Sequence, residues 1–168
     1  ITAASLRLYP AEGAVATALL TVSDPKAALE LLTLAQDRLP GLVSAFELIH
    51  RMGFDFMAEV MPDRSLPFAI PPEWSVLVEI DLPSGMDAAA AMAGLYAAGE
   101  EAGLISDGLL ASSATQRATL WQLREDIPAA NRKIGAVSSH DISLPLCEIP
   151  EFIATAPAAI ARIGEFRI

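Results

Sequence analysis

The chain has 168 residues, 53% of them hydrophobic and 19% charged, with a formal net charge of −10. That composition excludes a disordered segment and provides for one compact core or two small ones. It also argues against a phosphate-tracking nucleic-acid surface, since the 11 lysines and arginines are scattered. The longest apolar run, Ala14 to Val22, is about half the ~20 residues of a membrane span, so no transmembrane segment is expected.

The opening "ITAASLRLYP" alternates like a strand where a secretion signal would show a basic start and an apolar block, and the chain reads as cut from something larger. "AVATALLTVS" is a strand. Ser23, Asp24 and Pro25 supply a cap and a first-turn proline for a helix through Leu29, Leu32 and Ala35, which Pro40 and Gly41 stop. "LVSAFELIH" is a short strand and "RMGFDFMAEVM" a loose helix. "PDRSLPFAIPPE" is an exposed connection that holds four of the 12 prolines. "WSVLVEIDL" alternates as a strand, and "GMDAAAAMAGLYAAGEEAG" is a helix. A short strand over Gly108 to Ser112, a helix from Thr115 to Ala130, a strand over Val137 to Leu146 and a helix from Glu148 to Ile163 complete the order.

The strand-to-helix turns "VSDP", "LPSGM" and "SSATQ" lack the G-x-G-x-x-G that would place a pyrophosphate on a helix end. A nucleotide-binding parallel sheet is therefore disfavoured. The expected fold is α+β, an antiparallel sheet with helices packed on one face, following the ferredoxin-like order of strand, helix, strand, strand, helix, strand.

The polar residues concentrate in "WQLREDIPAANRKIGAVSSHDISLPL", Trp121 to Leu146. On a helix with Leu120 as zero, Ile127, Leu123, Arg124 and Trp121 fall at roughly 340°, 300°, 40° and 100°. Arg124 thus belongs to the apolar stripe, with Arg117 on the same arc, while Gln122, Glu125 and Asp126 form the wet face. Two readings stand. Both arginines lay their methylenes on the core and reach solvent at its rim, or Arg124 is a planar fork for a substrate carboxylate, standing in a cleft without an internal acid of its own. In the strand that follows, Ser139, Asp141 and Ser143 share a small polar face, and His140 points with Ile142. Asp141 reads as a structural acceptor, and Pro145 marks an edge or the end of pairing. Cys147 cannot make an internal disulfide; beside Leu146 and Ile149 it reads as a half-buried structural thiol. His50 and His140 are far apart in sequence without paired ligand spacing, so no metal site is expected within the chain.

The sequence "LWQLRED" followed by "HDISLPLCEIPEFI" resembles the C-terminal substrate domain of FAD-linked oxidases, the group of D-lactate dehydrogenase, D-2-hydroxyglutarate dehydrogenase and the glycolate oxidase FAD subunit. "AFELIH", "VLVEI" and "GLISDGLLASSATQ" fit in the order that resemblance requires, so it covers nearly the whole chain. It implies that residues 1–168 are the substrate-binding (cap) domain of a larger flavoprotein. FAD would be bound mainly by an N-terminal domain, and the domain would be cut before a C-terminal G-H-x-G-D-G-N-x-H motif that carries the base and, in metal-dependent members, a divalent metal. The activity implied is oxidation of a D-2-hydroxy acid to a 2-oxo acid. Arg124 matches the arginine that pairs with the substrate carboxylate, Ser139 stands where the family has a lysine, and His140 is a further candidate contact. No catalytic residue is expected in residues 1–168, which should be inert alone. The implied partners are the small 2-hydroxy acid and the FAD domain, and the implied location is cytoplasmic, peripheral to a membrane through an electron acceptor. The alternative is a non-catalytic ferredoxin-like module for small-molecule sensing or dimerisation, with Arg124 pairing across a homodimer.

Overall fold

The computed structural model describes residues 2–5, 13–135, 141–165 and 167. In chain order it contains β1 (Ala14–Val22), α1 (Pro25–Arg38), β2 (Val43–His50), α2 (Arg51–Val60), β3 (Trp74–Leu82), α3 (Ala88–Glu101), β4 (Asp107–Leu110), α4 (Ala114–Ile134), a 3-10 turn (Leu146–Glu148) and α5 (Ile149–Ile160). The strands form one sheet in the order β2-β3-β1-β4, every neighbouring pair antiparallel. With α1 joining β1 to β2 and α3 joining β3 to β4, this is the α+β, ferredoxin-like arrangement that the element order predicts.

The helices, however, cover both faces of the sheet. On β3, Val76, Val78, Ile80 and Leu82 point to the layer of α1 and α3, where they meet Leu31, Met92 and Leu95. Leu77 points the other way and, with Leu19 and Ile49, packs under Phe54 and Met57 of α2 and Leu120 and Leu123 of α4. Side chains alternate along a strand, so consecutive apolar residues such as Leu19-Leu20 and Val76-Leu77-Val78 must each find cover on opposite faces. Helix α2, inserted between β2 and β3, and α4 supply the cover missing from the one-face expectation.

Helix starts follow the sequence signals. Asp24 accepts from the Ala27 amide at 2.8 Å, Asp87 from Ala90 at 3.0 Å and Ser113 from Gln116 at 3.2 Å. Each satisfies an amide that has no partner within its helix. The Ala27 hydrogen bond, opposed by partial desolvation, holds the Asp24 carboxyl below its ordinary 3.8. Helix α4 continues through Pro128, which has no N–H to offer the Arg124 carbonyl one turn back.

Three expectations are corrected. Residues 141–145 carry no regular structure and Leu146–Glu148 is a 3-10 turn, so the described part of the Val137–Leu146 strand does not form; residues 137–140 lie outside the described residues. Alternation in that segment is a local signal, whereas a strand needs a neighbour for its amides. Ile142 is exposed, as is Cys147, which is therefore no half-buried thiol. Residues 2–5 of the first expected strand have no regular structure, and its remainder, residues 1 and 6–10, lies outside the described residues.

Candidate active site

The site is built where α2 and α4 meet above the edge strand β2. Gly53 lets the helices approach: a Cβ placed there would lie 3.0 Å from Ile127 Cδ1. Beside that contact is a cavity of about 410 Å³, with Glu47, His50, Met52, Phe56, Arg124 and Pro128 among its walls.

Arg124 reaches this cavity from α4, half-buried with its side chain 35% exposed. Its Nε donates to Glu47 Oε2 at 3.2 Å and its Nη1 to Glu125 Oε1 at 3.3 Å. The expectation of an arginine without an internal acid is thus overturned: Glu47 of β2 stands opposite Leu77 in the sheet and faces α4. A guanidinium has five N–H donors. The two carboxylates take two of them, and among the described residues three remain for another planar acceptor.

The phase of α4 also differs from the helical-wheel reading. Leu120, Leu123, Asp126 and Ala130 are buried, which centres the covered arc at roughly 290° on the same wheel, Asp126 inside it and Arg124 at its rim. Asp126, expected on the wet face, is paired with Arg64: Nε lies 2.9 Å from Oδ2, and Gln122 Nε2 donates to Oδ1 at 2.9 Å. Burying the carboxylate is tolerable because both oxygens have donors. Arg117 is half-buried, as the rim reading requires.

A second polar pin holds α4 over the sheet. Glu79 Oε2 accepts from Thr17 Oγ1 at 2.6 Å and from Trp121 Nε1 at 2.7 Å. Trp121 and Arg124, three residues apart on α4, are thereby tied to acids on two adjacent strands, β3 and β2, which fixes the rotation of the helix and so the direction of the guanidinium. Sequence reasoning passed over both acids. The signal was present: Glu47 in "SAFELIH" and Glu79 in "VLVEIDL" are charges within apolar strands on the same parity as Leu77 and Ile49, a place where an unpaired carboxylate would be costly.

Ser139 and His140 lie outside the described residues, and Asp141 is exposed. His50 accepts from the Met52 amide through Nδ1 at 3.4 Å, and its ring stands 4.7 Å from that of Trp74. Among the described residues no group of three or more His, Cys, Asp or Glu is placed to hold a metal, and no helix is long and apolar enough to cross a membrane. The helix starts after β1 and β3 are filled by the carboxylates of Asp24 and Asp87. An anion there would repel a pyrophosphate, so these residues do not fit FAD.

Comparison with known proteins places this geometry in a family. The model for "FAD linked oxidases, C-terminal domain" matches residues 12–166. Over 149 residues the chain is 28% identical to the mitochondrial D-2-hydroxyglutarate dehydrogenase of Arabidopsis thaliana, covering 89% of this chain and 27% of that protein. It is 28% identical over 152 residues to a probable mitochondrial D-2-hydroxyglutarate dehydrogenase of Oryza sativa subsp. indica, covering 88% and 27%. To the D-2-hydroxyglutarate dehydrogenase of Xanthomonas citri pv. viticola it is 30% identical over 158 residues, covering 88% and 33%. The chain spans about a third or less of the length of these curated relatives. With the motif order, the fold and the family match in agreement, the chain belongs to the C-terminal domain family of FAD-linked oxidases.

Proposed function

We propose that residues 1–168 are the substrate-binding cap domain of a flavoprotein that oxidises a D-2-hydroxy acid to a 2-oxo acid, with Arg124 orienting the substrate carboxylate. The observation that carries this reading is the half-buried Arg124 at a cavity of about 410 Å³, held by Glu47 and Glu125 with three donors unused among the described residues. FAD supplies the electron acceptor and is held by the N-terminal domain of the same protein, since the carboxylate-capped starts of α1 and α3 would repel its phosphates. The reading keeps a divalent metal, where the full protein uses one, with residues beyond Ile168. It also goes with a cytoplasmic location, peripheral to a membrane through the electron acceptor.

The chemistry asked of this chain is positioning. An α-hydroxy carboxylate carries its anion one bond from the reacting carbon, so a bidentate contact to the carboxylate also fixes that carbon. Glu47 holds Nε and turns the outer edge of the fork toward the cavity, while Trp121 and Glu79 keep α4 from rotating. Ser139 and His140 remain candidate contacts to the same ligand.

In the intact flavoprotein, Arg124→Ala should lower kcat/KM for the 2-hydroxy acid about a hundredfold, equal to ~2.7 kcal/mol of lost transition-state binding. Arg124→Lys should recover only part of it, since an ammonium cannot present two parallel donors. Unchanged kinetics in a flavin-replete Arg124→Ala protein would remove the reading. Loss of a dimer in light scattering, with kinetics retained, would favour the dimerisation module instead.

A further inference from the structure

Resting on the reading just given, we infer that the cavity selects a D-2-hydroxy acid with one carboxylate and a sizeable apolar side chain, against one with a second carboxylate. Three observations carry this. First, the Lys, Arg, Asp and Glu residues on the described cavity wall are one cation and one anion, Arg124 and Glu47, already 3.2 Å apart. Glu125, the other acid on Arg124, is not among the lining residues, and its side chain is 60% exposed. The Nδ1 of His50 is taken up by the Met52 amide. One incoming carboxylate finds the three guanidinium donors that are unused among the described residues. A second would find Glu47 and, among the described Lys and Arg residues, no further cation on the wall.

Second, apart from the neutral amide of Asn131 and the ring of His50, the described walls away from the ion pair are apolar, with Leu48, Met52, Phe56, Ile127 and Pro128 among them. A carboxylate moved against them loses water without gaining a partner, whereas an alkyl or aryl group gains by the same transfer. The guanidinium of Arg167 lies over the Phe56 ring, 4.5 Å from its centroid, but it is paired with Glu59 at 3.1 Å and does not line the cavity. Third, the space of about 410 Å³ falls in the range of drug-sized ligands. A methyl side chain would leave most of it to water. Met52, with its flexible thioether, can adapt to branched groups.

The test uses the intact flavoprotein with an artificial electron acceptor and three probes at matched ionic strength: D-lactate, D-2-hydroxy-4-methylpentanoate and D-2-hydroxyglutarate. The expected order places D-2-hydroxy-4-methylpentanoate highest, with kcat/KM at least tenfold above that for D-2-hydroxyglutarate. Met52→Lys, which sets a cation on the apolar wall, should narrow that ratio at least threefold by raising use of D-2-hydroxyglutarate. Equal or greater kcat/KM for D-2-hydroxyglutarate in the unaltered protein would overturn the inference, and so would a ratio unmoved by Met52→Lys in a folded, flavin-replete variant. In both cases an Arg124→Ala loss across all substrates would leave the cap-domain reading intact. If none of the three probes is oxidised by flavin-replete protein, the cap-domain reading itself falls.

Discussion

Arg124 shows why a residue's neighbours decide its chemistry. The helical wheel placed it inside the apolar stripe, and the structure moves it to the rim beside Glu47, 77 positions away in sequence. Local periodicity reports which way a helix faces, but not which strand lies opposite, so the arginine was legible and its acid was not. Asp126 reversed for the same reason: a charge can be buried when a distant loop brings Arg64 to it. Asp24 is the opposite case, since a cap is a contact within four residues and could be read directly. Asp24→Ala should cost about 1 kcal/mol in urea unfolding at about pH 7. The folded carboxyl titrates below its ordinary 3.8 because the Ala27 amide favours the anion. A depressed value means that the ionic part of the stabilisation is complete above the unfolded value and disappears as pH falls through the folded one. The gap between Asp24→Ala and the unaltered protein should therefore narrow in acid; a gap that widens there would contradict the assignment.

At the scale of elements, all four strands and five helices described here begin and end within a few residues of where caps, prolines and alternation put them. What alternation could not supply is partners, hence the expected strand at Val137–Leu146 whose described part is irregular. Nor could it show that α2 and α4 lie together. Their contact depends on Gly53, and two substitutions there weigh opposing effects. Gly53→Ala gains up to about 1 kcal/mol of helix propensity against a methyl pressed on Ile127 at 3.0 Å, so its change in thermal stability should be small. Gly53→Val adds branched bulk without that gain and should destabilise by about 1–3 kcal/mol. Because Gly53 and Ile127 also line the cavity, the valine variant should raise KM in the intact flavoprotein. Unchanged stability in both variants would mean the helices are not in tight contact.

The whole molecule divides its tasks by depth. The two central strands and their helix layers form a core whose residues were predictable as apolar runs, whereas the cavity belongs to the rim, where one edge strand meets two helices. Family membership was legible because "LWQLRED" and "HDISLPLCEIPEFI" are local strings; the described cavity walls come from two segments far apart in sequence, 47–56 and 124–131, and were not. Purified residues 1–168 should be colourless and should not reduce dye with D-lactate, since the carboxylate-capped starts of α1 and α3 do not suit FAD. A yellow preparation would show that the domain holds flavin by itself. The position of β2 at the sheet margin has a kinetic corollary. Bonded on one side to β3, it leaves alternate amides without a strand partner, while β1 and β3 are bonded on both sides and packed above and below. Deuterium should enter β2 well before β3, and a bound hydroxy acid should slow uptake in β2 and α4 while leaving the sheet's interior clock unchanged.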